Sequence, residues 1–406
     1  MRKENDLEEK QAAYQLIHID GVGSRSAFEL VKYAGGAKEA LQLEEAEIRK
    51  LLKGSIAEKF IRGREQLMNI NIEVEEKQKA FRFIPFTSSE YPDKLRNISN
   101  PPFALYVRGE LPKADVPSVA IIGARACSEY GKIVAKRFGK SLGSMGVQII
   151  SGMAKGIDGI AQQGALDGGG KTFGILGSGV DVIYPPENEI LYQNIIRQGG
   201  ILSEYPPGME AQSGFFPQRN RIISGLADIL LVVEARKRSG TYITVTQALE
   251  QGKEVFVVPG RITDSLSEGC NFLLTQGAGT AIGPECILEE LARMNSGNTY
   301  FMKRMQDMDR YRNDTGGKEQ KDALTKNKRV KECHKQDENN KNDEENCRGH
   351  ILNALDITPI AFDVLYRRLQ ERTSVSMEEL LLELTKMQMC GIVESTGNYY
   401  RLTMPL

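Results

Sequence analysis

Several stretches of this chain share an inventory of glycines, small hydroxyl residues and cations, and most of them follow a short apolar run. Gly123-Ala124-Arg125 comes after the apolar residues 119–122, and Ser151-Gly152-Met153-Ala154-Lys155-Gly156-Ile157-Asp158 after 147–150. Gly177-Ser178-Gly179 follows 172–176. Further on, "FFPQRNRIISGLAD" places Arg219 and Arg221 on either side of Asn220, and "EARKRSGTYIT" adds Arg236, Lys237 and Arg238. Glycine turns bring backbone N–H groups close to a ligand, hydroxyls donate, and guanidinium forks match phosphate oxygens. The chemistry on offer is anion binding.

One nucleotide needs one pyrophosphate loop. Several phosphate-type loops along one sheet edge suit a strand of nucleic acid lying across it. The first loop, "GARACSEYG", lacks the second and third glycines of a dinucleotide fingerprint and carries Arg125 where the chain would approach a pyrophosphate. A reaction centre is harder to find. The three histidines, at 18, 334 and 350, lie outside the loop-bearing region, and the pattern GxxxxGK[ST] does not occur. Asp158, Asp181 and Asp228 fall near the ends of apolar runs, where Asp158 suits helix capping and Asp228 a turn before a strand. The expectation is a binding surface with no catalytic residue, no metal and no cofactor.

These loops need a scaffold that brings them to one edge. The runs at 119–122, 147–150, 172–176, 200–204, 229–233 and 254–258 are nearly continuous in apolar residues, as strands covered by helices on both faces are. Between the first two, Val134, Phe138 and Leu142 recur every fourth residue, while Lys132, Lys136, Arg137 and Lys140 fall largely elsewhere. An amphipathic helix is predicted there, with Ser128 as its N-cap. Alternation of strand and helix predicts an α/β fold with a doubly wound, mainly parallel sheet over residues 81–292. In such a sheet the ligand sits beyond the C-terminal strand ends. The segment "FIPFTSSEYPDKLRNISNPPFALYVRGEL" is expected to extend it.

Three further segments differ in composition. Residues 1–80 carry apolar residues at helical spacing and read as a small helical domain. Within it, Gly21-Val22-Gly23 is expected to form a turn of helix-hairpin-helix type that serves either packing or phosphate contact. Residues 293–349 are dominated by Lys, Asn, Asp, Glu and Gln and read as a disordered charged linker. Cys333, His334, Cys347 and His350 are zinc-ligand types, but their spacing fits no common structural pattern and they read as incidental. Residues 350–406 read as three helices and a hairpin turning at Gly397-Asn398, a winged-helix-like domain. Its third helix carries Glu378, Glu379 and Glu383 against Lys386, which disfavours docking on DNA and favours a protein partner.

Length and composition agree with a multidomain protein of the cytoplasm. The chain has 406 residues, 40% of them hydrophobic, with no apolar run of about 18 residues that would span a membrane. Its N-terminus is charged, without the apolar core of a signal peptide. Six cysteines without a paired framework fit reduced thiols. The 53 Lys and Arg balance the 54 Asp and Glu, so any polyanion site must come from local clustering.

The motifs "IIGARACSEYG", "IISGMAKGIDGIAQQGAL", "GGKTFGILGSGVDVIYPPEN", "LSEYPPG", "FPQRNRIISGLAD", "EARKRSGTYIT" and "VFVVPG", in this order and spacing, resemble the DNA-processing protein A family (DprA, also called Smf). The resemblance covers about residues 85–290. It implies an extended Rossmann-like domain that binds single-stranded DNA, forms a homodimer and loads RecA recombinase onto incoming DNA in natural transformation. The N-terminal helical domain, of SAM or helix-hairpin-helix type, and the winged-helix-like domain resemble that family's flanking domains. By motif position Arg125 looks like the family's chief DNA-contacting arginine, and Ser151, Gly152, Lys155, Gly177, Ser178, Gly179, Arg219 and Arg221 look like parts of one pocket. Gly123 and Asn220 join this set from the loop reading above. Two departures stand out: Gln162 and Gln163 occupy the place of a histidine common in relatives, and Pro186 that of a lysine. A competing reading is a Rossmann-like nucleoside-monophosphate phosphoribohydrolase, a fold relative whose P-G-G-x-G-T-x-x-E loop has no match in "VPGRITDSLSEG". A third is a scaffold that binds proteins alone.

Overall fold

The computed structural model describes residues 2–67, 70–295, 297, 303, 347–355, 359–370, 375–389 and 392–402. The chain divides into two compact units, Met1–Met305 and Gln306–Leu406. Most of the expected linker, including Cys333 and His334, lies outside the described residues. Among those described, no group of three or more His, Cys, Asp and Glu could hold a metal ion.

The first unit opens with the helices α1 (Arg2–His18), α2 (Ser24–Ala34), α3 (Ala37–Leu41), α4 (Glu45–Leu51), α5 (Gly54–Gln66) and α6 (Ile72–Lys79). The strands β1 (Arg82–Pro85) and β2 (Ala104–Gly109) follow, with the short helix α7 (Asp93–Arg96) between them. The apolar runs then become β3 (Ser118–Ile122), β4 (Gln148–Ser151), β5 (Thr172–Ile175), β6 (Gly199–Ser203), β7 (Ile229–Val232) and β8 (Glu254–Val257), and β9 (Gly279–Thr280) comes last. Between them lie α8 (Glu129–Ser144), α9 (Ile157–Asp167), α10 (Glu189–Gln198), α11 (Phe215–Leu226) and α12 (Thr241–Glu250).

All nine strands form one sheet in the order β1-β2-β6-β5-β4-β3-β7-β8-β9. Those from β6 to β9 run parallel, whereas β1 and β2 are added antiparallel at one side. This is the α/β architecture expected from the sequence. Because β4, β5 and β6 build outward on one side of β3, and β7, β8 and β9 on the other, the order reverses between β3 and β7. Loops diverge at such a reversal and leave a crevice.

Both faces are covered, which explains the continuous apolar strands. Successive residues point to opposite sides: Phe83, Tyr106 and Ile201 belong to one core, and Ile84, Leu105 and Leu202 to the other. The backbones of α8 and α9 pack so closely that a Cβ on Gly139 would come within 2.1 Å of the Ala161 carbonyl oxygen. Ile222 and Ile223 of α11, Val245 of α12, and Tyr91 and Leu95 build the second core.

The helices α1 to α6 share one continuous core with Phe83, Phe103 and Tyr106 of the sheet side. Phe28 packs edge-on against Phe86 and Phe103, at 4.9 and 5.2 Å between ring centres. His18 sits at this junction, its Nδ1 2.7 Å from the Tyr14 carbonyl oxygen and its Nε2 3.3 Å from the Tyr106 hydroxyl. With Nδ1–H donating to the carbonyl, Nε2 accepts from the tyrosine, so both contacts suit the neutral ring.

The second unit holds the helices Cys347–Ala354, Phe362–Gln370 and Met377–Met389 and a small sheet of Ile360–Ala361, Tyr399–Leu402 and Val393–Thr396 in that order. Leu365, Leu369, Leu380, Leu384 and Val393 belong to its core. Gly397 turns the hairpin at φ 61°, a left-handed value that glycine adopts without strain. Ser376 and Glu379 cap the third helix reciprocally, through Ser376 N–H to Glu379 (2.9 Å) and Glu379 N–H to Ser376 Oγ (3.2 Å).

Burial holds His18 below its ordinary value of 6.5. A depressed folded value means that the neutral ring contributes stability in full above the unfolded value, and that this is lost as pH falls from there towards the lower folded value. Urea unfolding of the full chain is therefore expected to show stability falling below about pH 6.5, by up to about 1.4 kcal/mol per pH unit. His18→Gln should flatten that limb, and an unchanged profile in this variant would refute the assignment.

Candidate functional site

The loop after β3 is held on both sides. Ala124 N–H donates to the Glu234 carbonyl oxygen just beyond β7 (2.8 Å), and the Ala124 carbonyl oxygen accepts from Ile157 N–H of α9 (3.3 Å). The carboxylate of Glu234, a residue 1% exposed, accepts from Ser128 N–H (2.9 Å) and from the Ser128 hydroxyl. Ser128 Oγ in turn accepts from Gly131 N–H at 3.0 Å, the N-cap expected for α8. Gly123 has no room for a side chain: a Cβ would lie 2.9 Å from the Glu234 carbonyl oxygen. The two strands at the switch point are thus tied loop to loop, and Arg125 stands exposed on a fixed backbone.

Arg219 forms the floor. It is 4% exposed, and its Nη1 donates to the Gly152 carbonyl oxygen (2.8 Å) and to that of Ile175 at the end of β5. Gly152 N–H donates to Asp158 Oδ2 at 3.1 Å. Burial pushes the Asp158 carboxyl up, and the Arg219 charge opposes it. Burial lowers Arg219 to about 10, which leaves it cationic at neutral pH. A Cβ on Gly152 would sit 2.7 Å from Arg219 Nη2 and 2.8 Å from Asp158 Oδ2, so a side chain there would displace the buried pair. Among the described residues Arg219 Nε has no hydrogen-bond partner although it is buried.

Above this floor lies a cleft of about 70 Å³, lined by Arg125, Gly152, Ala154, Lys155, Tyr184, Pro185, Phe216 and Arg219. The Arg125 guanidinium lies over the Phe216 ring, 5.2 Å from its centre, and the Tyr184 ring stands 5.5 Å from the same ring. Lys155 at the rim pairs with the exposed Glu187, a contact of little net worth in water. A cleft of this volume is well below the roughly 300 Å³ at which pockets enclose a whole small ligand. It suits a phosphate group beside the Phe216 and Tyr184 rings.

Of the residues singled out from the sequence, the cleft brings together Arg125, Gly152, Lys155 and Arg219. Gly123 shapes the loop beneath Arg125, and Gly177 packs against Phe216, whose ring would be 3.0 Å from a Cβ there. Ser151 and Ser178 turn inward: Ser151 Oγ donates to the Ile121 carbonyl oxygen (2.6 Å), and Ser178 Oγ to that of Val182 (3.3 Å). Gly179 N–H donates to the Met209 carbonyl oxygen (2.8 Å). Arg221 is 8% exposed and grips Glu204 with both Nη atoms at 2.7 Å. Residues two apart on a helix face away from each other, so Arg219 and Arg221 serve different sides of α11, and Asn220 does not line the cleft. Loop composition does not single out Phe216, Tyr184 or Glu234. Phe216 was legible in principle, because it precedes Arg219 by three residues and shares its helix face.

Fold and cleft define an α/β protein of the doubly wound kind with a cleft lined by Arg125, Lys155 and Arg219 beside its switch point. A family model described as DNA recombination-mediator protein A matches residues 82–292. Protein Smf of Escherichia coli is 43% identical over 215 residues, which are 53% of this chain and 58% of that protein. DNA processing protein DprA of Streptococcus pneumoniae is 42% identical over 200 residues, 49% of this chain and 71% of the relative. The X-ray structure of DNA processing protein A from the same species matches with a TM-score of 0.62 and 33% identity, covering 69% of this chain and 97% of the other. The chain belongs to the DNA recombination-mediator protein A family.

Glu234→Gln keeps the size of the side chain but turns one acceptor into a donor facing Ser128. It is expected to cost about 1–3 kcal/mol in urea unfolding and to speed hydrogen exchange at Ser128 and Gly131. Unchanged exchange at these amides would show that Glu234 does not hold the loop.

Proposed function

We propose that the cleft grips single-stranded DNA and that the chain acts in the cytoplasm as a recombination mediator, handing the strand to RecA recombinase in natural transformation. The observation that carries this reading is the meeting in one cleft of a buried cation, Arg219, and an exposed cation, Arg125, laid on an aromatic face. The cations suit a phosphate. Phe216 and Tyr184 suit an unpaired base, since every base has a face that stacks and a duplex hides it. Gly123, Arg125, Gly152, Lys155 and Arg219 then belong to the contact surface, and Ser151, Gly177, Ser178, Gly179, Asn220 and Arg221 support its walls.

The same reading takes the chain as a binder with no catalytic step. Asp158, the carboxylate beside Arg219, is buried and engaged by Gly152 N–H, which leaves it poorly placed to move a proton to or from a substrate. The small cleft also disfavours a nucleoside-monophosphate hydrolase, which must enclose a base, a sugar and a phosphate. No helix among the described residues is long and apolar enough to cross a membrane.

The homodimer belongs to this proposal and is assigned to the far side of the sheet. The strand β9, two residues long, ends the sheet and has a strand neighbour on one side among the described residues. Ile282, 80% exposed, and Phe272, 38% exposed, lie close to it in the chain. An open edge bordered by apolar side chains is a surface for a second copy.

Arg125→Ala is expected to weaken binding of single-stranded DNA about tenfold or more and to reduce the slope of log affinity against log salt by about 0.7, the share of one phosphate contact. Affinity unchanged in this variant, or equal affinity for duplex, would sink the reading. Ile282→Glu is expected to shift the chain from dimer to monomer in light scattering after size exclusion, while a dimer that persists would move the interface elsewhere.

A further inference from the structure

The helix α8 starts a few residues beyond Arg125 and runs from the cleft edge of the sheet towards the opposite edge, where β4 begins. From residue 130 to 143 its exposed positions are Lys132, Lys136, Arg137 and Lys140, all cations. Lys132, Lys136 and Lys140 recur every fourth residue and form one line, with steps of about 6 Å along the axis and a span of about 12 Å. Arg137 stands beside that line.

The helix dipole does not account for this placement. Cations favour the last turn of a helix, where the dipole is negative, and the last turn of α8 has none. Lys132 stands instead near the positive end. Two carboxylates face the ridge: Glu129 pairs with Lys132 at 2.5 Å, and Asp167 of α9 pairs with Lys136 at 3.1 Å and lies in the field of Lys140 as well. Counted by the ion pairs among the described residues, two carboxylates meet four cations, which leaves the ridge with a surplus of positive charge.

We propose that this ridge is a second contact line for the DNA backbone, carrying the strand along α8 once it leaves the cleft. The ridge as a DNA contact rests on the cleft being a DNA site, to which it adds a direction and a length. A strand threaded past Arg125 meets Lys132 first, then Lys136 and Lys140, at a regular spacing that long lysine side chains can match to successive phosphates. These contacts are to phosphate alone, so they add affinity without sequence preference.

Cleft and ridge separate by oligonucleotide length. Full-length protein is titrated with labelled oligothymidylates of about 6 and about 20 nucleotides, chosen against common site sizes. The double variant Arg137→Gln with Lys140→Gln alters two exposed positions and substitutes a good helix former. It is expected to lose about tenfold in affinity for the long oligonucleotide, to lower its salt slope by about 1.4, about 0.7 for each lost contact, and to bind the short one like the wild type. Equal effects on both lengths, or on neither, would overturn the ridge. If Arg125→Ala weakens both lengths while the double variant weakens neither, the cleft stands and the ridge falls. If the wild type binds neither, both readings fail. Intact DNA binding with loss of recombinase binding would overturn the ridge as a DNA contact and make it a surface for an acidic protein.

Discussion

Arg219 carries a guanidinium into the interior of the first unit, reaching from α11 across the ends of β4 and β5 to fasten the carbonyls of Gly152 and Ile175. A charge in this position is costly unless it is surrounded by acceptors and an opposing charge. The site supplies two carbonyls and the nearby Asp158. A buried carbonyl left without a donor costs about 1–3 kcal/mol, so the arginine and the strand ends stabilise each other. The same network fixes the path of the chain through Ser151 and Gly152, and so the wall against which a ligand rests.

A second tie works across the switch point. In an open parallel sheet the loops on either side of the reversal diverge, and the strand ladder does not hold them together. Here Glu234, just beyond β7, holds both the N-cap of α8 and the backbone of Ala124 in the loop after β3. Its buried carboxylate holds Ser128 and its backbone carbonyl holds Ala124, on either side of Arg125. The hydrogen bonds from Ser128 absorb its charge, while the exposed guanidinium lies outward on Phe216.

The two arginines of the "QRNR" run illustrate how far residue type reaches. Guanidinium forks repeated near a helix start group both as phosphate contacts. In the folded chain one lines the cleft and the other pairs bidentately with Glu204, the two side chains being 10% and 11% exposed. Two residues of helical rotation separate these outcomes, and the sequence carries no mark of which arginine faces the cleft and which is held by Glu204. Ser151 and Ser178 behave alike, since a hydroxyl beside a glycine can face a ligand or satisfy a carbonyl, and here both turn inward.

By itself the sequence determined the succession of strands and helices along the chain, the mainly parallel sheet and the loops that follow its strands, because apolar periodicity and glycine placement act locally. It also carried the family, through motifs in register. The tertiary structure alone decided which loop residues converge, and that Tyr184 joins the cations. It also decided that Glu234, far along the chain from Arg125, holds the loop from which Arg125 reaches out. Such contacts depend on strand order, which places β7 beside β3 although β4, β5 and β6 all intervene in the sequence.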